Sequence, residues 1–212
     1  ELAFAGMVKD GAKLDIDKDG DMDLVLAGEW MPITLFINED NKLVKADEKK
    51  LGLENSYGWW NTVEIADLNA DGNPDIVAGN LGLNSKLKAT REHPLEMYVN
   101  DYDKNGNVDQ LLFYYIGDKQ HLFATKDEIA KQLVGIKKKF VNYTDFAHAG
   151  FGDIVTKDDF DKAIAYKVQE MRSGVFSNNG NMQFEFQPFP VMAQISPINS
   201  FAITDYDGDG HN

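Results

Sequence analysis

The stretch DIDKDGDMD, from Asp15 to Asp23, sets five aspartates within nine residues, directly before the apolar run Leu24-Val25-Leu26-Ala27. Carboxylates packed this closely repel one another, so a chain that keeps them beside a buried strand needs something to offset the repulsion. The pattern behind the stretch, D-x-[DN]-x-[DN]-G-x-x-D, recurs as DLNADGNPD from Asp67 and as DYDKNGNVD from Asp101, and starts again as DYDGDGHN at Asp205. A spaced motif met four times in one chain means that one local structure is built repeatedly.

The spacing has a physical reading. Oxygen-bearing side chains at positions 1, 3 and 5 of such a loop curl round one hard cation, a backbone carbonyl at position 7 adds a ligand, and a carboxylate at position 9 closes the shell. Glycine at position 6 permits the sharp turn. Calcium takes six to eight oxygens in flexible loops of this kind, magnesium demands a tighter octahedron, and zinc prefers nitrogen and sulfur. The candidate ligands are Asp15, Asp17, Asp19, Asp21 and Asp23; Asp67, Asn69, Asp71, Asn73 and Asp75; Asp101, Asp103, Asn105, Asn107 and Asp109; and Asp205, Asp207, Asp209 and His211. The expected cofactor is Ca2+, three to four ions. The chain has 35 acidic against 21 basic side chains, a net charge of −14, and the four loops hold 14 aspartates. Its acidity is therefore accounted for by candidate metal ligands. The alternative is that these are ordinary Asp/Asn/Gly turns that need no ion.

The loops are not EF-hands, which need a glutamate at position 12 and a helix on either side. Position 12 is Leu26, Ala78 and Leu112. Short apolar stretches flank the loops instead: Leu24 to Ala27, Ile76 to Ala78 and Leu111 to Tyr115 after them, Thr62 to Ala66 and Ser200 to Thr204 before them. These read as strands. Ile33, Leu35 and Ile37 alternate with other residues, a turn follows at Asn38 to Asn41, and Asn179-Gly180 marks a second hairpin ahead of Phe184 and Phe186. A four-stranded unit of about 50 residues is the size of a propeller blade. The loops begin 52, 34 and 104 residues apart. That spacing predicts one full blade, one blade that has lost its outer hairpin, and one blade carrying a large insertion.

The insertion reads as two helices. The first opens on a capping box at Thr125 to Glu128, with Ile129, Leu133, Ile136 and Phe140 at helical spacing. The second begins near Thr156, with Phe160, Ile164, Val168 and Met171 on one face. The expected fold is mainly β, a partial β-propeller of about three to four blades with a two-helix insertion. Its expected segments are 1–116 (blades one and two and the start of the third), 117–172 (helical insertion) and 173–212 (the rest of the third blade and the start of a fourth).

The net charge argues against nucleic acid and anionic membranes as partners. No apolar run is long enough to span a bilayer, and there is no cysteine for disulfides or thiolate sites. The chain begins at Glu1 rather than Met, consistent with removal of a leader.

The loops DIDKDGDMDLVLAG and DLNADGNPDIVAGN resemble FG-GAP/VCBS repeats, the calcium-loop blades also found in integrin α-chain propellers. The surrounding text, GEWMPITLFINED from Gly28, GWWNTVEIADLNADG from Gly58, the stretch from Gly79 to Tyr115 and the later ATKDEIAKQL, is similar to bacterial ASPIC/UnbV-type proteins. The resemblance implies export and an extracytoplasmic setting, either secreted or at the outer-membrane surface on a lipid-anchored parent. It also implies a protein partner such as a TonB-dependent outer-membrane transporter complex. About three and a quarter blades do not close a propeller, so a fragment of a larger surface protein is expected. The expected role is a binding or scaffold module and not an enzyme; the alternative is part of a polysaccharide-degrading enzyme. A glycan ligand is compatible with Tyr57, Trp59, Trp60 and Trp30 as a stacking platform, although bulky aromatics more often fill the space between blades. His93, His121, His148 and His211 are scattered, show no H-x-x-x-H or H-E-x-x-H pattern, and are assigned no catalytic role.

Overall fold

The computed structural model describes Leu2 and residues 5–205. The chain is mainly β and forms two compact units, residues 1–86 with 168–212 and residues 87–167. In the first unit, β1 (Met7–Leu14) leads through the first aspartate loop into β2 (Asp23–Met31), followed by β3 (Thr34–Glu39) and β4 (Lys42–Lys45). They form an antiparallel sheet in sequence order, with Val25 opposite both Ala12 and Leu35. The β3–β4 turn places Asp40 and Asn41 at φ 52° and 65°. Both central residues in the left-handed region make the tight hairpin turn whose twist matches the strands, and Asp and Asn tolerate it. A short helix, α1 (Glu48–Leu51), and a two-residue strand, β5 (Gly58–Trp59), lead to β6 (Thr62–Ala66), the second loop and β7 (Asp75–Gly79). All five residues of β7 are buried, as expected of a strand paired on both sides.

The chain then leaves this sheet and builds the second unit. There β8 (Leu95–Asn100), the third loop, β9 (Asp109–Ile116) and β10 (Lys119–Leu122) form a meander. Five short helices follow: α2 (Lys126–Gln132), α3 (Ile136–Lys139), α4 (Tyr143–His148), α5 (Phe151–Ile154) and α6 (Lys157–Asp161). The chain returns as β11 (Ile164–Val168), which joins the edge of β8. Leu111 and Phe113 of β9 bury themselves with Ile129, Leu133, Ile136, Phe140 and Ile154 of the helices. After the return, β12 (Gly174–Asn178) and β13 (Phe184–Pro188) complete the interrupted sheet in the order β6-β7-β12-β13.

This order repeats that of the first sheet, β1-β2-β3-β4. The first unit therefore holds two blades of one design, the second split by residues 87–167. The two share one core, in which Val25, Ile33 and Leu35 meet Trp60, Val63, Ile76 and Phe176. Trp60 is fully buried, sets its Nε1–H on the Ser56 carbonyl at 2.7 Å, and meets Phe176 edge-on at 5.6 Å. Asp10 of β1 accepts hydrogen bonds from Thr62 Oγ1 at 2.8 Å and Val63 N–H at 3.0 Å of β6, a polar tie from blade to blade.

Three expectations change. The outer hairpin of the second blade is not lost but is supplied by β12 and β13, so residues 174–188 belong to that blade and not to a third. The helical insertion has five short helices in place of two, because Gly135 and Gly150 stand at helix boundaries and no helix runs beyond seven residues. The capping box at Thr125 is present. The supposed second helix stops at Asp161, and Ile164–Val168 is a strand with Val168 buried and Ile164 exposed. A spacing of four is even, so it keeps residues on one face of a strand as well as of a helix. Finally, Ser200 to Thr204 is not a strand; among the described residues no neighbour pairs with it.

Candidate metal centres

Each complete loop joins the first two strands of its sheet, and all three share one backbone path. The fourth residue is left-handed, Lys18, Ala70 and Lys104 at φ 64°, 58° and 59°. The sixth is glycine at φ 98°, 82° and 86° for Gly20, Gly72 and Gly106, with open space where a Cβ would stand. Glycine is needed there for its backbone alone. The first aspartate accepts the glycine N–H: Asp15 from Gly20 at 3.1 Å, Asp67 from Gly72 at 2.8 Å and Asp101 from Gly106 at 2.9 Å. The ninth accepts the second residue's N–H: Asp23 from Ile16 at 2.8 Å, Asp75 from Leu68 at 3.2 Å and Asp109 from Tyr102 at 3.1 Å. The loops thus close on themselves with carboxylates turned inward.

Residues 15–78 match the FG-GAP-like repeat. Neither a curated protein nor a solved structure matches the chain. The FG-GAP-like match takes in the first two loops and the strands between them; the third loop repeats the same hydrogen bonds beyond its boundary.

Within this frame the three loops differ. In the first, carboxylate oxygens of Asp15, Asp17 and Asp19 lie within 4.8 Å of one another. Two ligands of one calcium stand up to about 5 Å apart, so one ion spans the group. Burial pushes the Asp17 and Asp21 carboxyls above the ordinary range, and the neighbouring aspartates push them further. Asp15 Oδ1 and Asp21 Oδ1 are buried without any hydrogen-bond partner. An orphaned carboxylate oxygen among like charges is what a hard cation relieves.

The second loop is quieter. Asp71 accepts from the Asn73 N–H at 2.8 Å and from the side-chain amides of Asn73 and Asn69 at 2.9 and 3.0 Å. These bonds, the Asn73 N–H first, outweigh desolvation and hold its carboxyl below the usual value. Lys18 of the first loop reaches Asn73 Oδ1 at 2.8 Å, so the two loops of this unit are neighbours. In the third loop Asp101, Asp103 and Asp109 bring oxygens within 4.8 Å of one another. Burial raises the Asp109 carboxyl, the Tyr102 N–H opposes this, and Asp103 and Asp101 add to it.

The ninth aspartate has a second role that the motif does not advertise. Asp23 Oδ1 accepts the N–H of Asn38 at 2.9 Å, and Asp75 Oδ1 accepts that of Asn178 at 2.9 Å. Asn38 is the penultimate residue of its blade's third strand and Asn178 the last of the corresponding one, so both stand close to the hairpin turn. The only signal in the sequence is an asparagine before a turn, too common to be read alone. Asp205 lies in a loop, and Asp207, Asp209 and His211 fall outside the described residues.

Trp60 and Trp30 are core residues, and Trp30 meets Trp59 edge-on at 5.1 Å. They form no open platform. His93 faces Asp118 at 3.2 Å, while His121 lies beside Tyr114, with ring centroids 6.4 Å apart. No described helix is long and apolar enough to cross a membrane.

Proposed function

We propose that this chain is a calcium-stabilised, propeller-type binding and scaffold module of an exported protein. The observation that carries the reading is the repetition of one inward-facing carboxylate loop at the same place in three sheets, with buried, unpartnered oxygens in the first. Asp15, Asp17, Asp19, Asp21 and Asp23 would hold the first ion, Asp67, Asn69, Asp71, Asn73 and Asp75 the second, and Asp101, Asp103, Asn105, Asn107 and Asp109 the third. Positions 7 would contribute their backbone carbonyls. The ion supplies charge compensation and locks the first two strands of each sheet; no catalytic step is assigned to it.

FG-GAP repeats are typical of extracellular domains, and millimolar calcium outside cells suits weak loop sites with dissociation constants of about 10⁻⁴–10⁻³ M. The partner we favour is another protein at the cell surface, such as an outer-membrane transporter complex, with the module carried on a lipid-anchored parent. The test is thermal unfolding in millimolar calcium, in magnesium and in chelator. Free calcium at 100 times the dissociation constant would add about 2.7 kcal/mol per site. A calcium-specific rise in melting temperature that shrinks in Asp17→Ala supports the reading; identical melting in calcium and chelator overturns it.

A further inference from the structure

The third loop differs from the other two at the residue before its glycine. Positions 5 and 6 are Asp19-Gly20 and Asp71-Gly72 in the first two loops but Asn105-Gly106 in the third. An asparagine side chain carries an amide carbon within reach of the next residue's backbone nitrogen. Its leaving group is ammonia, where an ionised carboxylate would have to expel oxide. A glycine in the next position leaves the attacking nitrogen unshielded, and here the turn itself demands that glycine. Gly106 is at φ 86°, with open space where a Cβ would stand. Both residues are exposed, so water and base reach them. Among the described residues Asn105 bonds only through its backbone N–H and its Oδ1, which leaves the amide nitrogen free to depart.

The closed loop engages both reacting groups. Gly106 N–H donates to Asp101 Oδ2 at 2.9 Å, and Asn105 Oδ1 accepts the Asn107 N–H at 2.8 Å. Attack therefore needs the loop to open. Asp101, Asp103 and Asp109 bring carboxylate oxygens within 4.8 Å of one another, and their repulsion favours opening while no cation is bound. We propose that Asn105-Gly106 is a site of spontaneous deamidation and that the ion of the third loop sets its rate. Gly106 N gives up its proton to base in the solvent and bonds to Asn105 Cγ, the Cγ–Nδ2 bond breaks, and Nδ2 leaves as ammonia. Water then opens the cyclic imide. Opening at Cγ leaves aspartate at position 105; opening at the backbone carbonyl leaves isoaspartate, with the main chain running through Cγ. The aspartate product has the carboxylate that the first loop carries as Asp19, and added ligand charge strengthens a calcium site. The isoaspartate product lengthens the main chain by a methylene directly before Gly106, which breaks the bond to Asp101 that closes the loop. The rate control rests on the calcium reading given above.

The test incubates the full chain at mildly alkaline pH in calcium and in chelator, and follows position 105 by peptide mapping with mass spectrometry. The ion holds only the closed loop, so free calcium at about 100 times the dissociation constant lowers the open population, and the rate with it, about a hundredfold. The expected result is conversion to aspartate and isoaspartate in chelator, slowed by that order in calcium. Calorimetry on the aged protein shows one calcium equivalent falling in proportion to the isoaspartate formed, while freshly prepared Asn105→Asp keeps it. An Asn105 that stays intact in chelator, over a time in which the guanidinium-unfolded chain converts, overturns the proposal. Equal rates in calcium and chelator, in a protein that binds calcium at this loop, overturn the rate control. Failure of Asp103→Ala to remove one calcium equivalent counts instead against the reading on which that control rests.

Discussion

Asp75 tests whether the ninth aspartate holds a blade together before any ion arrives. It is 1 % exposed and joins the second loop to β12, whose Asn178 lies 103 residues further along the chain. Asp75→Ala removes the acceptor of two backbone N–H groups, Asn178 at 2.9 Å in a buried position and Leu68 at 3.2 Å in a partly buried one. Leaving a buried donor unpaired costs about 1–3 kcal/mol, and the half-exposed one less. Losing one of several crowded carboxylates offsets part of this, and the net is about 2–3 kcal/mol. For a chain of this size each kcal/mol lowers the melting temperature by about 2–4 °C, so a fall of about 4–12 °C is expected in chelator. All three tryptophans, Trp30, Trp59 and Trp60, lie in the first unit, so their fluorescence follows its unfolding without a signal from the second. Asp71→Ala is the control. Its partners lie within the loop and reach water when it is removed, so it abolishes the calcium response of this loop but leaves melting in chelator nearly unchanged. If Asp75→Ala melts with the parent in chelator, the Asp75–Asn178 bond does not hold the split blade together.

Trp60→Ala should cost about 3–5 kcal/mol, because it empties the space between two blades and strands the Ser56 carbonyl; chemical denaturation with circular dichroism reads it. Burial pushes the Asp10 carboxyl up, but the N–H groups of Val63 and Gly11 and the Thr62 hydroxyl outweigh it, and its folded value lies below 3.8. Its contribution is therefore full above about pH 4 and lost as pH falls through the folded value. Asp10→Ala should flatten that acid limb in a pH series of melts. Gly82 N–H donates to Met171 O at 2.8 Å, so the two ends of the interruption already meet. Replacing residues 87–167 with a short flexible linker should leave the first unit folded, with tryptophan emission still blue-shifted by the buried Trp60.

Local pattern carried most of the elements. Thr62–Ala66 is the strand its β-branched residues announce, the β3–β4 turn sits where Asn38 to Asn41 breaks the alternation, and Asn179-Gly180 turns β12 into β13. The loops were legible because their spacing encodes a closed path of hydrogen bonds, and that path recurs three times. Blade membership was not legible. Pairing between Val77 and Val175 is set by contact across almost a hundred residues, and spacing between motifs assumes that each blade is contiguous. The even spacing of Ile164 and Val168 could not separate strand from helix, because the deciding factor was the open edge of β8. The second role of Asp23 and Asp75 was hidden for the same reason: its partners come from another strand.

In the proposed reading, three loops of one geometry each hold a divalent ion. A calorimetric titration of chelator-stripped protein with calcium tests it most directly, alongside Asp17→Ala, Asp71→Ala and Asp103→Ala. At least three equivalents are expected to bind per chain, with one lost in each variant and little heat from magnesium. An absence of calcium binding, or a stoichiometry unchanged in all three variants, would contradict it.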